Sequence, residues 1–487
     1  MVGFLIILAA CTASGDMPDA QFMRSVVQSE SGFAGAATVV DSAAKDKVCY
    51  ITVDVPYRDV QGKEKMGRGR LMARRKDLES GKLLPPYCNV HYELDPGAAQ
   101  YLCKDGWVVM TPHYGDPDKK TGYKLELAPG DSYNLSNALI QWVRRLPFID
   151  RSRLFIAGGS AGGYMALVMG AQNFPVDAIL ADFPVVNWAY NINYFEANIG
   201  VTKYRELKDA KDSPMPVLCA VSMLTDWAYG VFGKDLTSDA YYYDNPISCL
   251  DRITCPVLLT TATGDLLVPI EQTARSHACP LEPGKCPEGY MRDIAKLAPT
   301  EKTRMSLEEV LPKDVYEIFV LPLPKGLHEY DHGDLGAQAK LSQKAKRVER
   351  PWSKERQWNI VILDEGPPIA TSAHSRYAWN IAATGYLKAH RNSRATPQVL
   401  TPAKLAWLMH RYEGILPETV PLADGSPANR LNFDVLEKRD VVAGLLDYAR
   451  IRPEHEARLK SLYAAGGVQP FGKELDLGKL ESLLGGG

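Results

Sequence analysis

Neither sign of charge prevails in this sequence: 56 Lys and Arg stand against 58 Asp and Glu, for a formal net charge of −2. The basic residues do not cluster, which excludes nucleic acid as a partner. Internal repeats and long low-complexity tracts are absent. No C-x-x-C pair and no His/Cys cluster has zinc spacing, so no structural metal site is expected. No Gly-Lys-Ser/Thr follows the chain's serine-centred glycine turn, which removes a phosphate-cradling Walker loop. Long apolar runs are nearly missing too. The exception, MVGFLIILAAC at residues 1–11, is too short to span a bilayer.

That run reads as the apolar part of an export signal. Leu8-Ala9-Ala10-Cys11 resembles the lipobox of bacterial lipoproteins, whose cysteine is lipidated, although no Lys or Arg precedes the run. The expectation is an exported protein of the periplasm or cell envelope, with residues 1–15 as signal, Cys11 as a possible membrane anchor and 16–46 as a polar tether. Eight further cysteines would permit disulfides outside the cytosol. Cys249 with Cys255, and Cys279 with Cys286, flank short loops; buried thiols are the alternative.

What is present is an alternation of strands and helices. Strands are expected in KVCYITVDVPYRD and KMGRGRLMARRK, joined by a turn at Gln61-Gly62, and then in PPYCNVHYEL, DGWVVMTPHYG, DRSRLFIAGG, VDAILADFP, TCPVLLTTATGD and QWNIVILDEG. An amphipathic helix is expected over DSYNLSNALIQWVRRLPFID, where Leu135, Leu139, Trp142 and Val143 recur at helical spacing. This alternation implies a mostly parallel sheet with helices on both faces and a site at the carboxyl ends of the strands.

The stretch IAGGSAGGYMA, 156–166, falls at such an end, between an apolar strand and an apolar helix. Gly158-x-Ser160-x-Gly162 fits the nucleophile elbow, in which small residues let strand and helix approach and the serine Oγ is forced out of the sheet. A plain glycine-rich turn is the alternative. The N–H of Ala161, opening the helix, would face a developing oxyanion. A serine needs a histidine base, and the base needs a carboxylate, in the chain order Ser, acid, His. Asp265, after the strand CPVLLTTATG, fits the acid; an Asx turn is the bland reading.

Residues 85–390 resemble the catalytic domain of the prolyl oligopeptidase family of α/β-hydrolases. The pieces that carry this are Gly158-Gly159-Ser160-Ala161-Gly162-Gly163, the preceding Asp150-Arg-Ser-Arg-Leu-Phe-Ile, and Cys255-Pro-Val-Leu-Leu through Asp265-Leu-Leu-Val-Pro269. The resemblance implies an α/β-hydrolase fold over 47–392, with Ser160 as nucleophile and Asp265 as acid. For the base, His374 follows the strand QWNIVILDEG and precedes an apolar helix, as family members usually end. His328 and then His332, in PKGLHEYDHGD after the possible strand YEIFVLPLP, are the alternatives; the acidic groups around them could also hold a metal, but read as a solvated charge run. Many relatives carry His-Gly-Gly as the second oxyanion element. This chain has His91-Tyr92-Glu93, so Tyr92, by backbone or hydroxyl, is the weaker partner to Ala161.

The expected chemistry is acyl transfer without cofactor or metal, on a peptide or a small acyl ester. A carboxylesterase of the same fold, or a non-catalytic surface lipoprotein on a hydrolase scaffold, are the rivals. Only short strands precede the core, so the β-propeller common among relatives does not fit. An aromatic-rich cap is expected over 186–246, a second insertion over 275–356, and a helical appendage over 395–487, opened by Thr401 as N-cap and Pro402 at the first helical position.

Overall fold

A computed structural model of the chain describes residues 38–45, 48–94, 96–115, 127, 129–196, 217–237, 241, 245–263, 265, 267–278, 305–322, 352–364, 385–392 and 400–401, with short pieces beyond. The export segment, Cys11, Cys279 and Cys286 lie outside them.

Among the described residues ten strands share one sheet, in the order β1-β2-β3-β5-β4-β6-β7-β8-β10-β9. They are β1 (Thr38–Lys45), β2 (Val48–Arg58), β3 (Glu64–Arg74), β4 (Pro86–Asn89), β5 (Val108–Pro112), β6 (Phe155–Gly159), β7 (Ala178–Asp182), β8 (Val257–Ala262), β9 (Tyr316–Pro322) and β10 (Trp358–Asp364). The first three pair antiparallel, with Gly62 at φ 77° in the turn between β2 and β3. From β5 to β9 every pairing is parallel. Parallel strands are covered on both faces, which is why β6, β7 and β8 read as short apolar runs without alternation.

Each strand still sorts its side chains by side. In β6, Ile156 joins the cluster that holds Leu139 and Met165, while Phe155 and Ala157 join the one that holds Trp107 and Leu387. Four helices supply these covers: α1 (Pro96–Lys104), α2 (Pro129–Arg145), α3 (Ala161–Gln172) and, later in the chain, the one at Leu387–Asn392. The expected helix over 131–150 begins two residues earlier and ends at Arg145; it is buried nearly all round, and even Arg144 is spent on the Phe174 carbonyl at 3.0 Å.

Three expectations change. β1 lies inside the stretch expected to be a tether, because backbone pairing with β2 enlists it whatever its composition. The second insertion is not wholly apart from the sheet: β9 adds to the far side of β10, in register from Tyr316 opposite Trp358. Cys249 and Cys255 form no bridge. Both are buried thiols, and Cys249 Sγ donates to the Pro246 carbonyl at 3.4 Å.

Beyond 400 the chain is tied to this core. Thr401 Oγ1 accepts the Lys404 N–H at 3.1 Å, the expected N-cap. The Lys404 ammonium is fully buried at the carboxyl end of α3 and donates to the carbonyls of Gly170, Ala171 and Asn173 at 2.8, 2.7 and 2.7 Å. A cation there meets the negative end of the helix dipole and carbonyls left over by the helix. Lys404→Met is expected to strand these acceptors and cost about 3 kcal/mol of stability, read as an earlier denaturant midpoint; an unmoved midpoint would refute the clamp. The region is also not all helix, since Val420–Pro421 pairs with Pro427–Ala428.

Candidate functional site

Ser160 stands at the carboxyl end of β6 with φ 51° and ψ −119°, a conformation that costs a non-glycine residue of order 1–3 kcal/mol. Its backbone is held from two sides: its N–H donates to the Asp182 carbonyl at 2.7 Å, and its carbonyl accepts the Tyr164 N–H at 3.1 Å. The flanking glycines are required by space. A Cβ on Gly158 would stand 2.3 Å from the Gly162 carbonyl oxygen, and one on Gly162 would stand 2.7 Å from that of Val90. Gly159, in contrast, has ordinary room, its nearest neighbour at 3.7 Å. The spacing G-x-S-x-G is thus a statement about which two positions tolerate no side chain. Ala161 opens α3, and an α-helix leaves its first N–H groups without an internal acceptor.

Across from the elbow, the chain leaving β4 makes a tight turn without glycine. His91 takes φ 68°, and the Tyr92 N–H closes the turn on the Val90 carbonyl at 2.9 Å. The His91 N–H and Nδ1 reach Ser136 Oγ and Ser132 Oγ at 3.3 and 2.8 Å, and its carbonyl accepts the Tyr114 hydroxyl at 2.7 Å. Burial pushes this imidazole down to about 4, so it is neutral near pH 7 and belongs to the scaffold of the turn. The Tyr92 N–H is thus committed to Val90, and its ring stands edge-on to His91 at 4.3 Å.

Glu93 anchors the same turn. Its Oε1 accepts Arg70 Nη1 at 3.2 Å and His113 Nδ1 at 2.9 Å, while Arg70 Nη2 meets His113 Nε2 at 3.0 Å. Since an arginine only donates, this ring of bonds closes with His113 carrying its proton on Nδ1. Sequence reasoning missed this group, because its three members come from β3, the β4 turn and the end of β5.

Asp265 follows β8 and is buried, 3% exposed. Its Oδ1 accepts the N–H groups of Leu267 and Val268 at 2.8 and 2.9 Å. The Asx turn therefore exists, and it engages one oxygen of the carboxylate. Next to it, Asp182 ends β7 and is equally buried. Burial, with the Asp265 charge adding, pushes the Asp182 carboxyl up to about 8, against the pull of the Thr260 hydroxyl that donates to its Oδ1. Asp182 escaped the sequence reading; its one signal is a carboxylate at the carboxyl end of an apolar strand.

His374, His328 and His332 lie outside the described residues, as does the charge run around the latter two. β10, which precedes His374, runs beside β8 with Leu363 opposite Ala262, so the two strands end together, shortly before Asp265 in the chain. Among the described residues no cluster of His, Cys, Asp or Glu could hold a metal. The aromatics of the expected cap are largely spent on packing. α4 (Trp188–Tyr194) and α5 (Val217–Phe232) join through Trp188 and Trp227 at 5.2 Å, and Trp188 rests on Tyr164 of α3 at 5.5 Å.

Residues 98–279 match the model described as the prolyl oligopeptidase family. Solved structures similar to the chain include an acylaminoacyl peptidase in complex with Z-Gly-Gly-Phe-chloromethyl ketone, at 15% identity and TM-score 0.32, covering 50% of this chain and 42% of that one. A Pyrococcus horikoshii acylaminoacyl peptidase gives 14% identity and TM-score 0.31 over 49% of this chain and 42% of that one. The acetyl xylan esterase of Paenibacillus sp. R4 gives 15% and 0.32 over 52% of this chain and 82% of that one. The match thus spans less than half the length of these peptidases.

Proposed function

We propose that this chain, which over residues 98–279 matches the prolyl oligopeptidase family model, is a serine hydrolase that cleaves a peptide or ester acyl bond through Ser160, Asp265 and His374. The observation that carries it is the backbone of Ser160: a strained elbow, cleared by Gly158 and Gly162 and placed at a strand end, has no packing purpose that a relaxed turn would not serve better.

In the proposed cycle His374 takes the Ser160 proton as Oγ attacks the carbonyl carbon. Asp265 fixes the imidazole tautomer and stabilises the imidazolium. The oxyanion rests on the Ala161 N–H and the Tyr92 phenol. The imidazolium returns its proton to the leaving amine or alcohol, and water then releases the acyl group by the same route in reverse. The order of the strands supports His374 over His328: β9 lies outside β10, one strand spacing of about 4.8 Å farther from Asp265.

A fluorophosphonate probe tests the reading. Labelling is expected in the parent protein, absent in Ser160→Ala, and strongly slowed in His374→Ala but not in His328→Ala. A parent that never labels would leave a binding scaffold as the better account. Aminoacyl amides set against short acyl esters decide between peptidase and esterase, which share this machinery.

We further propose export with anchoring through Cys11. Cys11→Ala is then expected to move the protein from the membrane fraction to the soluble one; unchanged partitioning would sink the anchor.

A further inference from the structure

Two buried carboxyls lie at and just beyond the carboxyl ends of neighbouring strands, and the cycle above uses one. β7 lies between β6, which ends at the nucleophile, and β8, which leads to Asp265. Asp182, its last residue, is bound to both neighbours. It stands opposite Gly159 in one ladder and Thr260 in the other. Its carbonyl holds the Ser160 N–H, and its Oδ1 takes the Thr260 hydroxyl. The residue is therefore fixed between the elbow and the strand that leads to Asp265, its carboxyl held on Thr260.

The hydrogen bonds decide how the pair is charged. Burial, with the Asp265 charge adding to it, disfavours a second anion at Asp182, so one of the two keeps a proton near pH 7. Asp265 receives two peptide N–H groups on one oxygen, an arrangement that favours an anion. Asp182 receives a single hydroxyl and is as deeply buried. The charge belongs to Asp265 and the proton to Asp182. The groups facing Asp182 from the packed strands, among the described residues, agree. Asp265 on the β8 side repels a second charge. Tyr87 on the β4 side stays a neutral phenol, pushed up by burial and then by Asp182 itself.

We propose that Asp182 is the reserve carboxyl of the acid station, a positioning residue that shares one negative charge with Asp265 and orients the histidine base when Asp265 cannot. The idea rests on the Ser160–Asp265–His reading. It follows that Asp182 keeps its proton up to about pH 8 while Asp265 is charged, and that loss of the Asp265 charge lets it ionise at lower pH.

The test compares the parent with Asp182→Asn, Asp265→Asn and the double variant, by the rate of fluorophosphonate labelling at Ser160 from pH 5 to 10. Circular dichroism checks that each is folded, and Asp182→Ser stands in should the asparagine variant not fold. The ratio of Asp265→Asn to the double variant is expected to exceed about tenfold once Asp182 is ionised, climbing about tenfold per pH unit below its inflection. The parent is expected to show an alkaline inflection near the Asp182 value of about 8 that Asp182→Asn lacks. A ratio of one at every pH, with Asp265→Asn crippled, overturns the reserve and leaves the triad standing. Full labelling in Asp265→Asn and in the double variant overturns both.

Discussion

Ser160→Ala is expected to lower kcat by about 10⁶-fold, the order seen when the serine of such a unit is removed, with the fold intact. The separation of the two effects comes from the backbone. Alanine bears a Cβ like serine, so it meets the same strain at φ 51°. The N–H that binds the Asp182 carbonyl and the carbonyl that takes the Tyr164 N–H are main-chain groups, untouched by the exchange. Only Oγ is lost. Hydrolysis of the best substrate from the amide and ester panel, together with the thermal midpoint, checks this. Activity within tenfold of the parent at an unchanged midpoint would mean that the elbow is not the reacting centre.

Asp265→Asn is the second large effect, about 10⁴-fold in kcat near pH 7, since a neutral amide neither holds the required imidazole tautomer nor stabilises the imidazolium. The exchange is gentle on the structure. The amide oxygen of the introduced asparagine can still accept from Leu267 and Val268, the bonds that Asp265 makes through Oδ1. A loss of activity with the loop preserved therefore reports charge rather than shape. The pH dependence adds a signature: with Asp182 as reserve, part of the loss is recovered as pH rises through its inflection. An exchange that unfolds the protein and leaves the folded fraction fully active would assign Asp265 to the Asx turn alone.

Much of the framework was legible because it is written locally. A parallel strand covered on both faces needs an apolar run, and β6, β7, β8 and β10 each supply one within a few residues. The elbow was legible for a steric reason: two glycines at fixed spacing mark where strand and helix backbones meet, and the distances at Gly158 and Gly162 give that reason in ångströms. β1 was not legible, because a polar, alanine-rich edge strand is specified by the partner it pairs with. Nor was the backbone of the turn after β4. Missing glycines after His91 suggested an altered turn, yet His91 adopts the positive φ, held by Ser132, Ser136 and Tyr114 from other elements.

The cap marks the same boundary. Its aromatics were evident, but composition does not say which way a ring points, and the described ones link α3, α4 and α5 edge to face. Lys404 makes the point for charge. In a list of residues it is one more exposed cation, and in the fold it is buried on three carbonyls at the end of the helix that begins beside Ser160.

By itself the sequence determined the strand and helix alternation, the position of the strained serine turn and the aspartate that follows β8, because backbone sterics and apolar runs act over a few neighbouring residues. The tertiary structure alone decided that β9 lies outside β10, that Glu93, Arg70 and His113 close one network, and that Asp182 is buried within reach of the Asp265 charge. Those depend on which strands lie side by side and on how deeply water is excluded between them, and both are properties of the packed chain.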